Sequence, residues 1–232
     1  MKTESSYDLL IIGGGISACV FASKYLQNNI TKKIALIEVG RRLGGRSSTR
    51  ISKRFEGWKL NHGSPNFNIS NSRNNLLLKT YIDELLENKF IKIDDSELIY
   101  LDENSNFEEL NNSEFSCGVN YRSLFSMGQL SQNIMQFNNL MDKVDFYFET
   151  FIVDLKFINN EWILTSSTGD KFKSKYLICS SNLLMHKRVL KILNINQIPL
   201  RKAIPKNENT YIFLDNNLYN NNFHLYKLKK LI

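Results

Sequence analysis

Cysteine, histidine and long apolar runs are all scarce in this chain of 232 residues, and each shortage removes a class of function. The three cysteines, Cys19, Cys117 and Cys179, lie far apart and form no C-x-x-C pair. Neither a zinc site nor a disulfide framework is therefore indicated, and a reducing, cytoplasmic setting is expected. The three histidines, His62, His186 and His224, form no H-x-x-x-H pair, so no metal is expected. No serine stands in a G-x-S-x-G context, which leaves a Ser-His-Asp hydrolase without support. The first residues, Met1 to Ser6, are polar, and the apolar run behind them is too short for a signal peptide. No run reaches the roughly 18 residues of a membrane span, so a soluble protein with no membrane partner is expected. The formal net charge is +7, but the cations are spread along the chain. No compact basic run with interleaved aromatics stands out, so no nucleic-acid partner is expected. With 42% hydrophobic and 12% aromatic residues, the chain can build a core.

The stretch Tyr7 to Arg50 organises the rest. A short apolar strand, Leu9-Leu10-Ile11-Ile12, runs into Gly13-Gly14-Gly15, and a helix follows with apolar positions at Ile16, Cys19, Val20, Phe21, Ala22 and Leu26. A second strand, Ile34 to Ile37, ends on Glu38. This is the order of a βαβ dinucleotide-binding half. Gly13 allows the tight turn, Gly15 lets a pyrophosphate approach the backbone, and Ala18 takes the third small position, where helix and strand pack closely. The helix start, at Ile16, Ser17 and Ala18, offers N–H groups and a partial positive charge to phosphates. Glu38 would accept hydrogen bonds from ribose hydroxyls and repel a 2′-phosphate, which favours FAD or NAD over NADP.

The continuation, Glu38-Val39-Gly40-Arg41-Arg42-Leu43-Gly44-Gly45-Arg46, resembles the E-x-x-x-R-x-G-G-R signature of the FAD-dependent amine-oxidase and glutathione-reductase-like superfamily. Residues 47–68, SSTRISKRFEGWKLNHGSPNFN, look most like the renalase-like branch, which carries G-G-R-x-x-T-R and then G-W-x-x-D-H-G-A-P-x-F. The resemblance implies FAD as cofactor. It places Arg42 and Arg46 near the ribose and pyrophosphate, with Gly44 and Gly45 permitting close approach. It also places Gly63 and Ser64 beside the flavin, with His62 in the same loop, the backbone of Val153 against adenine, and Ser180 near the cofactor. Asn61 stands where the family usually has Asp, and Ser64 where it usually has Ala. On spacing alone, Val153 reads as an inward-facing strand residue.

Further along, leucines and isoleucines at three- and four-residue spacing predict a helix over 72–88, with Ser72 as N-cap and a core stripe of Leu77, Leu78, Tyr81, Ile82, Leu85 and Leu86. Short strands are expected at 90–93 and 98–101, and a polar loop over 102–116. Ser126-Met127-Gly128 reads as a turn into a helix carrying Leu130, Ile134 and Phe137, with Met127 and Met135 as core residues. Residues 144–157, 161–167 and 171–179 read as consecutive strands of a β-meander, with turns at Asn159-Asn160 and Gly169-Asp170, the last strand returning to the nucleotide sheet.

The expected fold is α/β, a Rossmann-like FAD/NAD(P)-binding three-layer fold with an inserted β-meander and a partial second, substrate domain. The segments are 1–70 for the first βαβ unit and the G-G-R loop, 71–143 for a helical insertion, 144–195 for the meander and returning strand, and 196–232 for the start of the substrate domain. The expected activity is that of an FAD-dependent oxidoreductase taking a hydride from an amine or a reduced nicotinamide-like small molecule. The alternative is a truncated, non-catalytic remnant with weak or no FAD binding. Relatives continue beyond this length, so a downstream polypeptide supplying the remainder is a candidate partner. No residue is singled out as catalytic.

Overall fold

The computed structural model describes residues 4–61, 63–69, 75–95, 99–101, 107–109, 118–137 and 140–180. In chain order the elements are β1 (Glu4–Ile12), α1 (Ile16–Asn28), β2 (Ile34–Ile37), β3 (Thr49–Ile51), β4 (Lys59–Asn61) and β5 (Phe67–Ile69). Then follow α2 (Leu76–Glu87), β6 (Ile91–Ile93), β7 (Ile99–Leu101), β8 (Phe107–Glu109), β9 (Val119–Ser123) and α3 (Met127–Gln136). The last four are β10 (Val144–Tyr147), β11 (Ile152–Ile158), β12 (Glu161–Ser166) and β13 (Lys171–Cys179). The described residues fall into two compact units, divided after Pro65 and again before Ser123.

The first unit holds a six-stranded sheet in the order β10-β2-β1-β13-β12-β11. β10, β2, β1 and β13 run parallel, and β12 and β11 extend the sheet antiparallel. Every residue of β2 is buried, as expected of a strand covered on both faces. Leu10, Ile11, Ile34 and Leu36 are fully buried at the sheet's centre, each contributing about 1.5–3 kcal/mol of transfer free energy. α1 turns Ala18, Cys19, Ala22, Ser23 and Leu26 inward, and the small side chains of the first four let it lie close to its neighbours. α3 packs along α1 and buries Met127, Leu130, Ile134 and Met135. No helix among the described residues is long and apolar enough to cross a membrane.

The meander comprises β11, β12 and β13. Asn159 and Asn160 both adopt positive φ, 52° and 63°, the pairing a tight β11–β12 hairpin turn requires. The stretch 144–157 is not one strand, however. Glu149, at φ +52°, breaks it, and β10 joins the opposite edge of the sheet beside β2, in parallel. Strand alternation alone cannot show which edge a strand joins. Below the sheet's centre, the buried Tyr7 hydroxyl donates to Asp145 Oδ2 at 2.8 Å and lies 2.6 Å from the Tyr147 hydroxyl. Burial, followed by these two partners, holds its ionisation well above the usual tyrosine range.

The second unit carries a three-stranded sheet, β5-β9-β6, the hairpin β7-β8, and α2. α2 begins later than expected: its N-cap is Asn75, whose side chain accepts from the Leu77 N–H at 2.9 Å. Ser72 lies outside the described residues. Of the expected stripe, Ile82 and Leu85 are buried, Tyr81 and Leu86 are half-buried, and Leu77 and Leu78 are exposed. β8 lies within the segment read as a loop, paired antiparallel with β7.

Candidate functional site

The site forms where β1 ends. Gly13 leaves the strand at φ +101°, a conformation residues with a Cβ rarely adopt, while its N–H donates to Ile37 O at 2.8 Å. Gly15 is the N-cap of α1 and brings no side chain to cap it. The first turn of a helix, here Ile16, Ser17 and Ala18, carries N–H groups with no intrahelical acceptor. A Cβ placed on Gly15 would meet nothing within 4 Å. Gly15 has an ordinary φ of −74°, so neither strain nor packing demands glycine there. Open space in front of an uncapped helix start is a setting for an anion.

Glu38 follows β2 and is half-buried. Its Oε2 accepts from the Gly14 N–H at 2.5 Å, and its Oε1 from the Gly40 N–H at 2.6 Å. The carboxylate is thereby held against the glycine turn. Each oxygen keeps a further lone pair, so accepting ribose hydroxyls is compatible with both bonds. The backbone of Glu38 is fixed too: its N–H donates to Tyr147 O at 2.9 Å, and its carbonyl accepts from Thr150 N at 3.1 Å. Thr150 leads into β11, where the β11–β12 register shifts between Ile152 and Asp154. Val153 is the unopposed residue of that bulge, so its backbone stands outside the ladder. Sequence spacing gives no sign of the bulge.

The loop after Glu38 folds across the turn. Gly44 N–H donates to Gly14 O at 2.8 Å, and Gly15 and Gly44 form an isolated parallel bridge. Gly45 lies so close that a Cβ on it would stand 3.1 Å from Gly15 Cα. Ser47, buried, staples the loop by donating its N–H and its hydroxyl to Gly44 O at 3.0 and 2.7 Å. Arg42 and Arg46 are exposed, and among the described residues their guanidinium groups pair with no carboxylate. Arg41 differs, lying 3.1 Å from Glu149. Beneath the turn, Cys19 points its Sγ at Gly14 O, 3.8 Å away, and burial pushes its thiol up to about 12. Such a thiol is structural, not reactive.

Ser64 N–H donates to Arg46 O at 2.9 Å, which ties the loop after β4 to the loop of Arg46. A Cβ on Gly63 would stand 1.8 Å from Arg46 O, so backbone packing requires glycine there. His62 lies outside the described residues. Ser180, after β13, donates its N–H to Ile12 O at 2.9 Å and so sits beside the residue that precedes the glycine turn. Thus the structure gathers Gly13, Gly15, Ile16, Ser17, Ala18, Glu38 and Gly45 in one place. Arg46 continues the loop from Gly45, Ser64 is tied to Arg46 and Ser180 to Ile12 by backbone hydrogen bonds, Gly63 packs against Arg46 O, and Val153 follows Thr150.

Two participants escaped the sequence reading. The Thr49 hydroxyl donates to Asn61 Oδ1 at 2.6 Å and accepts from the Gly128 N–H at 3.0 Å. A Cβ on Gly128 would lie 2.7 Å from Thr49 N, so glycine at the start of α3 permits this contact. The Met127-Gly128 pair, which opens α3, was the available signal. Asn61, where the resemblance would place a carboxylate, is thus a hydrogen-bond acceptor within the fold.

A family model described as an NAD(P)-binding Rossmann-like domain matches residues 11–85. A comparison with curated proteins finds no sequence match. Among solved structures, wild-type putrescine oxidase bound to putrescine is similar over 78% of this chain and 59% of that one, with a TM-score of 0.53 and 13% identity. A protein from Exiguobacterium sp. 255-15 named as a protoporphyrinogen oxidase is similar over 87% of this chain and 64% of that one, with a TM-score of 0.57 and 12% identity. The chain spans less than two thirds of the length of either. The fold they share with this chain is the Rossmann-like dinucleotide-binding fold, with a mixed, mainly parallel sheet and packed helices.

Proposed function

We propose that this chain binds FAD and serves an FAD-dependent oxidoreductase reaction of the amine-oxidase and renalase-like kind. The observation that carries the reading is the Glu38 carboxylate held over a glycine turn whose last residue, Gly15, opens onto free space at a helix start. A dinucleotide presents a ribose diol and a pyrophosphate at that spacing, and both find partners: Glu38 for the diol, the first turn of α1 for the phosphates. The Gly44-Gly45-Arg46 loop favours FAD over a nicotinamide cofactor. It is built onto the glycine turn by a bridge to Gly15 and a hydrogen bond to Gly14 O, and a simple nicotinamide site has no need of it. Arg42 and Arg46 would then neutralise phosphate charge, Val153 would meet adenine through its backbone, and Gly63, Ser64 and Ser180 would line the flavin side. The flavin would supply the hydride acceptor, and the protein supplies binding and orientation. An amine or a reduced nicotinamide-like molecule is the proposed donor.

The test is the visible absorption spectrum of the purified protein, with mass spectrometry of what acid releases. Flavin bands and stoichiometric FAD are expected, either on purification or after adding FAD. Protein that stays colourless and shows no saturable FAD binding would overturn the flavin reading. Uptake of NAD in its place would move the assignment to a nicotinamide enzyme.

A further inference from the structure

The β3–β4 hairpin has no role in the reading above beyond its base. Its sequence, Thr49 to Asn61, carries Arg50, Lys53, Arg54 and Lys59 against one acid, Glu56. Its apolar residues face outward: Trp58 is 70% exposed, Leu60 65%, Phe55 52% and Ile51 50%. The run is contiguous in sequence, and the structure adds that its apolar side chains are exposed.

The tip is ordered. The Ser52 hydroxyl accepts from the N–H groups of Arg54 and Phe55, and Ser52 N–H donates to Trp58 O. Phe55 and Trp58 pack with ring centroids 5.5 Å apart, and the Arg54 guanidinium lies over the Phe55 ring. The register pairs Arg50 with Leu60 and Ile51 with Lys59, so Ile51 and Leu60 stand on opposite faces. Each face thus pairs one apolar side chain with one cation, Leu60 with Arg50 and Ile51 with Lys59, and Phe55 and Trp58 stand towards the tip.

We propose that this hairpin is an attachment site for an anionic lipid surface. A groove on a protein partner covers one face of a hairpin, whereas here exposed apolar side chains stand on both faces and towards the end, each face with a cation beside them, which suits insertion among charged headgroups. Aromatic rings at an interface, aliphatic side chains below them and lysines or arginines among headgroups are the chemistry of interfacial binding. Aliphatic Ile51 and Leu60 have no π-face on which bases could stack, which disfavours a nucleic acid. Charge disfavours the rest of this chain as the cover, because residues 181–232 carry nine lysines and arginines against two acids. An anionic occupant complements both.

The full chain with Trp162→Phe leaves Trp58 as the sole tryptophan reporter. Acrylamide is expected to quench it freely in solution. Vesicles of phosphatidylcholine containing phosphatidylserine are expected to shift its emission to the blue and to carry the protein down on sedimentation. Vesicles of pure phosphatidylcholine are expected to do neither. Phe55→Ser with Trp58→Ser should weaken sedimentation at least about tenfold, and Lys53→Glu with Arg54→Glu at least about as much, since each cation near such a surface is worth roughly fivefold. Circular dichroism of both variants should match the parent. Several results would overturn the proposal: shielding of Trp58 in the free protein, equal binding to neutral vesicles, or full binding retained by both variants, which would assign it to residues 181–232. Two more would do so: tighter capture of single-stranded RNA than of anionic vesicles, or a self-association that the Phe55/Trp58 variant removes.

Discussion

Gly15 and Gly63 border one loop from two sides and are glycine for opposite reasons. The absent side chain of Gly15 faces open space, with nothing within 4 Å, whereas that of Gly63 would collide with Arg46 O at 1.8 Å. Gly63 is kept small for the chain itself, whereas the proposed function has Gly15 kept small for a cofactor. The contrast separates ligand-shaped regions from packing-shaped ones without a ligand in view. Gly15 has an ordinary φ and no crowding, so the fold itself does not require glycine there, and the proposed pyrophosphate supplies a reason.

The largest effect should come from breaking the packing side. Gly63→Ala forces the Arg46 backbone or its own loop to move, and overpacking of this kind costs about 1–3 kcal/mol or more. Urea unfolding should show a lower midpoint with an unchanged slope. A midpoint equal to the parent's would mean that the two loops are not in contact. Gly15→Val should do the reverse. Its backbone angles suit valine, so the loss of stability should stay within about 1 kcal/mol, the scale of an N-cap change. FAD affinity should fall about 100-fold or more, because the branched side chain takes the pyrophosphate's space. If titration with FAD gave the parent's affinity, the pyrophosphate would have to be placed elsewhere.

The sequence showed the left half of this picture better than the right. Gly13 to Glu38 is legible because each residue there acts locally: a turn, a helix start, a strand end, all within one βαβ unit. The G-G-R loop is legible through its resemblance to flavoproteins. What was not legible depends on contacts between distant segments. That Thr49 meets Gly128, that β10 crosses to the far edge beside β2, and that Val153 sits in a bulge are all decided by tertiary pairing. The N-cap of α2 moved from Ser72 to Asn75 because either side chain can cap, and local pattern cannot choose between them. The leucine stripe of α2 overran its buried face for a similar reason: periodicity marks a face, and packing decides how many turns of it are covered.

Glu38 belongs to both classes, since its carboxylate fastens the turn through Gly14 and Gly40 and also faces the proposed ribose. Glu38→Ala should therefore lower both stability and FAD affinity. The affinity loss should be about 1–3 kcal/mol, the scale of hydrogen bonds to a charged group. Calorimetric titration against a parallel unfolding curve separates the two. A loss of stability alone would assign Glu38 to packing, beside Gly63.

The smallest effect tests a carboxylate that only holds the chain. Asp8 accepts from the Lys33 N–H at 2.8 Å and from Lys32 Nζ at 3.3 Å. The Lys33 backbone bond, then Lys32, keeps its carboxyl below the usual aspartate range. A native value below the unfolded one means that the stabilisation is complete above the unfolded value, about pH 4, and disappears as pH falls through the native value. The side chain is exposed enough for solvent to screen the pair, so Asp8→Asn should cost only a few tenths of a kcal/mol near neutrality. The Tm difference from the parent should shrink towards zero on acidification, and added salt should remove the Lys32 share but not the Lys33 share. FAD affinity should not change. A Tm difference that grew as pH fell would reverse the sign of the linkage, and would require the native fold to hold Asp8 in its protonated form.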